Sequence, residues 1–296
     1  MKFLFHFLFY LYSRSRISYM KKVLGFHEKF IDLGGHSVFF LERDGNPTLP
    51  TLVLVHGFLD LSYGYRKLLD HLPYEGRILI PDHPGYGFSR LPKVSYLYQI
   101  DVIANILYRS LEKTFTTEMI LCGHSMGGLI SQKMVLLDQK LNKNNGIFKK
   151  LILLATGGVP HPNRDEMKEI LFPKNDSDIR HLLTHLYHAE FPQPSWLSRK
   201  ILLATWNGIE NQFLAENTIR REKEIFFGDR AKEIKLPTLI ISGDEDELTT
   251  PGMMKNYSKW IRKSQLFILP RTKHALHYER SVHVAEIMDK FIKSRK

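Results

Sequence analysis

Cysteine is almost absent: Cys122 is the only one in 296 residues. No disulfide can close within the sequence, and a cysteine-built metal cluster has no ligands. Cys122 itself lies in an apolar run and reads as a small buried residue rather than a reactive thiol. Runs of full membrane-spanning length are also missing. The apolar stretch from Phe3 to Tyr12 reaches about 15 Å as a helix, roughly half of a hydrocarbon core. Acidic residues are few, 31 against 42 Lys and Arg, a net charge of +11. Such an excess suits anionic lipid or nucleic acid. No zinc-finger spacing and no RNA-binding signature accompanies it, so no nucleic-acid partner is expected. No phosphate-binding loop or dinucleotide fingerprint appears, and Gly85-Tyr86-Gly87 reads as a turn after a strand. No cofactor is expected.

What is present is a globular composition, 43% hydrophobic and 25% charged, which excludes a disordered chain. The length fits one large domain, or one with an insertion. Lys29–Leu33 and Ser37–Glu42 flank Gly34-Gly35 and predict a hairpin. Continuous apolar runs predict buried strands at Thr51–Val55, Arg77–Ile80, Met119–Cys122, Leu151–Ala155, Thr238–Ser242 and Leu266–Leu269. Helical patterns fall between most of them, at Tyr65–His71, Gln99–Thr114, Gly128–Asp138 and Met253–Ile261, and a last helix spans Ala275–Ile292. Alternating strands and helices predict an α/β fold, a mostly parallel twisted sheet covered on both faces. From Val159 to Lys235 the rhythm breaks, with no convincing strand, several prolines and many aromatics. This interval is expected to be a helical cap. The expected organisation is an N-terminal segment at 1–22, a core at 23–158 and 236–296, and the cap at 159–235.

The N-terminal segment couples its apolar run to Arg14, Arg16, Lys21 and Lys22, with no acidic residue before Glu28. A retained membrane anchor is the leading expectation, as a short spanning helix or a helix lying in the interface. A cleaved signal peptide competes, although a small-x-small cleavage site is missing. A soluble arm packed on the core is the third reading.

Gly123-His124-Ser125-Met126-Gly127 is a G-x-S-x-G pattern between a predicted strand and a predicted helix, the setting that a nucleophile elbow requires. A serine hydroxyl needs a base within hydrogen-bond reach and an acid to orient that base. Gly243-Asp244-Glu245-Asp246 follows one later strand, and Arg271-Thr272-Lys273-His274 follows the next. Within the first group Asp244 and Glu245 rival Asp246 as the acid. His277, one helical turn on, rivals His274 as the base.

In order, His56-Gly57-Phe58, the run from Asp82 to Ser89, Gly123–Gly128, Gly243–Asp246 and His274 with Glu279 resemble the successive motifs of the α/β-hydrolase family. The resemblance spans roughly residues 30–292. It implies an α/β-hydrolase fold of the serine esterase or lipase type, with a Ser125–Asp246–His274 triad. It also implies an oxyanion hole from the backbone N–H groups of Phe58 and Met126. Serine at the elbow argues against the dehalogenases and epoxide hydrolases of the family, which carry aspartate there. One departure is Lys273, where members usually have glycine before the histidine.

The substrate is less sharply indicated. Tyr187, Phe191, Trp196, Leu202, Leu203, Trp206 and Phe213 either line an acyl-chain pocket or form the cap's own small core. The cap loosely resembles that of membrane-anchored monoacylglycerol lipases and related bacterial lipases. A carboxylic-ester hydrolase acting on lipid esters such as monoacylglycerols is therefore expected, held to a membrane surface by residues 1–22. Two alternatives stand beside it. One is hydrolysis of a carbon–carbon bond in ring-fission products. The other is a non-catalytic lipid-binding protein with a vestigial triad. His181, His185 and His188 share a helical face, but no cysteine or neighbouring acid completes a metal site, and an exposed cap face is expected.

Overall fold

A computed structural model describes residues 2–143 and 145–294. Residues 1, 144, 295 and 296, which the expected segments include, lie outside that description. Eight strands form one sheet: β1 (His27–Asp32), β2 (Ser37–Arg43), β3 (Thr51–Val55), β4 (Ile78–Pro81), β5 (Met119–His124), β6 (Phe148–Leu154), β7 (Thr238–Gly243) and β8 (Ser264–Leu269). Their spatial order is β1-β2-β4-β3-β5-β6-β7-β8. β2 runs antiparallel to β1 and β4, and the remaining pairs are parallel. The helices are α1 (Lys2–Leu24), α2 (Arg66–Leu69), α3 (Ile100–Lys113), α4 (Met126–Asn142), α5 (Arg164–Leu171), α6 (Asp176–Leu186), α7 (Trp196–Trp206), α8 (Ile209–Arg220), α9 (Glu222–Ile225), α10 (Pro251–Trp260), α11 (Leu276–Glu279) and α12 (Ser281–Lys293).

The continuous apolar strands follow from cover on both faces. Successive β-strand side chains point to opposite sides. Val53 and Val55 of β3 enter a core shared with α3, α4 and α10, while Leu52 and Leu54 enter a core shared with α1, α2 and α12. β3 has β4 on one side and β5 on the other, so the strand order reverses between β3 and β5. In open parallel sheets the crevice beyond the carboxyl ends at such a reversal is where ligands bind. Val55 pairs with Gly123, and Gly243 with Leu269. The loops after β3, β5, β7 and β8 therefore leave from one edge.

Between β6 and β7 the described chain is helical, α5 to α9 followed by a 3-10 turn at Gly228–Glu233. Two predicted helices are broken. The segment expected at 65–71 is a 3-10 turn, Ser62–Tyr65, followed by the short α2. The last helix divides at Arg280 (φ −122°, ψ 40°), which separates α11 from α12.

α1 departs most from expectation. It is one unbroken helix, and Ser13, Ile17 and Met20 are buried along one side of it, a spacing of four and three residues that makes a single stripe. Arg14 and Lys21, expected to face lipid phosphates, both reach Glu28 on β1, at 2.9 and 3.1 Å. The first half remains exposed, with Phe3, Leu4, Phe7, Tyr10 and Leu11 open to solvent. Among the described residues no helix is long and apolar enough to cross a membrane, so the spanning form of the anchor is set aside.

Candidate active site

Ser125 sits alone between the last residue of β5 and the first of α4, at φ 52° and ψ −120°. This is a sparsely populated backbone for a residue with a side chain, and such strain persists only where surroundings over-determine it. The flanking glycines supply the space. A Cβ on Gly123 would stand 2.3 Å from the Gly127 carbonyl oxygen, and one on Gly127 2.2 Å from that of Val55. Strand, turn and helix can crowd this closely only without those atoms.

The Ser125 hydroxyl lies 2.8 Å from His274 Nε2, and His274 Nδ1 lies 2.9 Å from Asp246 Oδ2. A carboxylate only accepts, so Nδ1 carries the proton and Nε2 is free to accept from the serine. Asp246 is buried, and its oxygens are well supplied with donors. Oδ1 accepts from the N–H groups of Leu248 and Thr249, each at 2.9 Å, and Oδ2 also accepts from the Thr249 hydroxyl at 2.7 Å. The rivals lie elsewhere. Asp244 and Glu245 are exposed; Asp244 accepts from Thr272 N–H, and Glu245 faces His188. His277 is buried, with its ring 4.3 Å from that of His124. Burial and the neighbouring His274 push its pKa down to about 3, keeping it neutral.

The histidine loop is held from behind. His124 Nε2 donates to the His274 carbonyl at 3.0 Å. Burial, with the neighbouring imidazoles His277 and His274, lowers the His124 pKa well below the usual range, so its other nitrogen stays bare. The Phe58 loop is braced in a similar way. His83 N–H donates to His56 Nε2 at 3.1 Å, and His83 Nε2 donates to the His56 carbonyl at 2.8 Å. Burial depresses both pKa values, that of His83 to about 4. Lys273, where glycine was expected, does not take up the left-handed backbone; Arg271 does, at φ 50°. The loop reaches its shape two residues earlier and leaves position 273 open to a side chain.

Thr249 and the bracing role of His124 escaped the sequence reading. No spacing rule marks Thr249, and His124 was visible only as the variable residue of a motif.

Phe58, Ser125, Met126 and His274 line a cavity of about 200 Å³. Met126 opens α4, where first-turn N–H groups lack intrahelical acceptors. The cavity wall is mostly apolar, with Leu129, Val159, Met167, Leu171, Leu214 and Phe226 among its residues. None of the seven cap side chains named from the sequence lines it. Tyr187 and Phe191 cluster with Tyr278, Trp206 packs against the small cluster of Met167, Ile170, Leu182 and Leu248, and Phe213 meets Tyr98. Tyr187, Phe191 and Phe213 pack against residues outside the cap and Trp196 is exposed, while less conspicuous residues of α5 and α8 face the cavity. His185 and His188 also depart from the expected exposed face. They turn toward the acid loop, with Nε2 3.5 Å from Glu247 and 3.6 Å from Glu245 respectively. Among the described residues the one grouping with metal-ligand geometry is His27, Glu42 and Asp44, remote in sequence from this site; Lys29 and Arg77 already pair with its Glu42.

A family model described as the alpha/beta hydrolase fold matches residues 50–176. The uncharacterized hydrolase YugF of Bacillus subtilis is 26% identical over 284 residues, covering 88% of this chain and 95% of that one. Among solved structures, a membrane phospholipase A superposes with a TM-score of 0.81 at 20% identity, over 95% of this chain and 90% of its own. An esterase from Exiguobacterium antarcticum superposes with a TM-score of 0.73 at 20% identity, over 90% and 100%.

Proposed function

We propose that this chain, which has the α/β-hydrolase fold, is a serine hydrolase of carboxylic esters that prefers lipid esters such as monoacylglycerols. The observation that carries this reading is the relay from Ser125 Oγ through His274 to Asp246 beside a mostly apolar cavity. His274 removes the serine proton as Ser125 attacks the acyl carbonyl, and Asp246 steadies the imidazolium. The backbone N–H groups of Phe58 and Met126 stabilise the oxyanion. The imidazolium then gives its proton to the departing alcohol. Water, deprotonated by His274, releases the acid and restores Ser125. No cofactor takes part.

The lipid preference draws support from the acyl-sized apolar cavity, and from a phospholipase and an esterase among the proteins of like fold. We further propose that α1 lies on a membrane surface rather than crossing it. Its exposed aromatic half and the exposed Trp196 and Leu197 of neighbouring α7 support this, as does the net positive charge. The deciding experiment is a panel of p-nitrophenyl esters and monoacylglycerols with Ser125→Ala as control. Turnover is expected in the wild type, falling about 10⁴-fold or more in the variant. A wild type that turns over no ester, or a variant that retains activity, overturns the reading.

A further inference from the structure

Lys273 precedes His274 and reaches away from it into the cap. Its Nζ donates to the Thr184 carbonyl at 2.6 Å and lies 3.4 Å from the Glu247 carboxylate. Its backbone N–H donates to Glu279 Oε2 at 2.8 Å, while Oε1 of that carboxylate accepts from His188 N–H. On the far side of His274, Ala275 N–H donates to the Leu186 carbonyl at 2.9 Å. Both neighbours of His274 are thus tied to one stretch of cap, the end of α6 and the residues just after it.

The chemistry of that end suits the task. Thr184 and Leu186 belong to the last turn of α6, where carbonyls have no intrahelical donors and carry the negative end of the helix dipole. An ammonium and a loop N–H satisfy them. α6 contributes nothing to the cavity wall. Its Leu182 instead packs with Met167 and Leu248, both of which do line the cavity. The helix therefore touches residues of the cavity wall through Leu182 and the chain on either side of His274 through its last turn.

We propose that the last turn of α6 positions His274, and that Lys273 is the side chain through which it does so. Lys273 is then a positioning residue for the proposed hydrolysis, and the inference rests on the Ser125–His274–Asp246 reading. A merely structural tie would hold the cap down and leave the serine as reactive as before. Two measurements separate these roles: the second-order rate at which a small fluorophosphonate modifies Ser125, and steady-state kinetics with p-nitrophenyl butyrate.

Lys273→Met keeps the stem but loses the donors. It is expected to lower both the modification rate and kcat about tenfold, with KM changed less than about twofold. Lys273→Arg, which still reaches a carbonyl, is expected to recover kcat to within about threefold of wild type. Should Lys273→Met fail to fold, Lys273→Gln, too short to reach Thr184, is expected to show the same losses. The proposal falls if the Met variant is modified at the wild-type rate, if the loss lies in KM alone, or if the Arg variant is as slow as Met. A wild type that no fluorophosphonate modifies overturns the triad reading itself, a separate outcome.

Discussion

Thr249 gives Asp246 a donor on the same oxygen that faces His274. Replacing it by valine keeps the shape and removes the hydroxyl. Leu248 and Thr249 N–H still hold Oδ1, so the carboxylate stays in place with one charge-assisted bond fewer. Such bonds are worth about 1.5–3 kcal/mol when the partner is charged. If only part of that is felt in the transition state, kcat for ester hydrolysis in Thr249→Val falls about three- to tenfold with KM unchanged. Wild-type kcat in the variant would show that the hydroxyl contributes nothing to the relay. At this scale the sequence was legible where a motif fixes residue type and local backbone together, as at Gly123-His124-Ser125-Met126-Gly127. It was illegible at Lys273 and His188, whose partners Thr184 and Glu279 lie on distant elements and are chosen by tertiary packing alone, and at Thr249, whose hydroxyl reaches Asp246 three residues back within a loop whose shape no motif fixes.

Strands and helices differed in how much they disclosed. A strand buried on both faces must be apolar along its buried length, so β3, β5, β7 and the end of β6 stood out as continuous runs, while Lys149 and Lys150 hid the start of β6. A cap helix buries one stripe, and which stripe depends on neighbours that the sequence does not name. For that reason Met167 and Leu214, rather than Trp196 or Tyr187, face the cavity. α1 obeys the same rule: its buried stripe begins only at Ser13, leaving Phe3, Phe7 and Leu11 outside. Burying one large apolar side chain yields about 1.5–3 kcal/mol, so three of them are enough to hold a surface helix on lipid. The triple variant Phe3→Ser, Phe7→Ser, Leu11→Ser is expected to cosediment with phosphatidylglycerol vesicles at least about tenfold less than wild type. Its melting temperature should not change, since the substituted residues support no core. Equal cosedimentation of the two proteins would rule out α1 as the membrane contact.

Across the whole molecule, four imidazoles are buried and held neutral. Burial lowers the pKa of His56, His83, His124 and His277. The unfolded chain then binds protons near pH 6.5 that the folded chain refuses, so stability falls as pH drops below that point. Each uncompensated proton costs about 1.4 kcal/mol per pH unit. Asp82 and Asp60 work in the opposite sense. Burial raises their pKa values to about 6 and about 7, so they take up protons in the folded state first. Four histidines outweigh two aspartates, and the urea midpoint is expected to decline steadily from pH 6.5 to pH 5. A midpoint that is flat or rising over that interval would mean these histidines are not held neutral.

The strand order that gathers the four loops has a consequence in time. Ser125 and His274 lie 149 residues apart, and His274 follows β8, the outermost strand on its side. A chain that ends before β8 carries Ser125 but not His274. If His274 is the base, as proposed above, hydrolytic power arrives only as the last strand joins the sheet. On the proposed reading, a product ending before β8 is inert, and reactivity toward esters is withheld until the fold that shapes the cavity is closed.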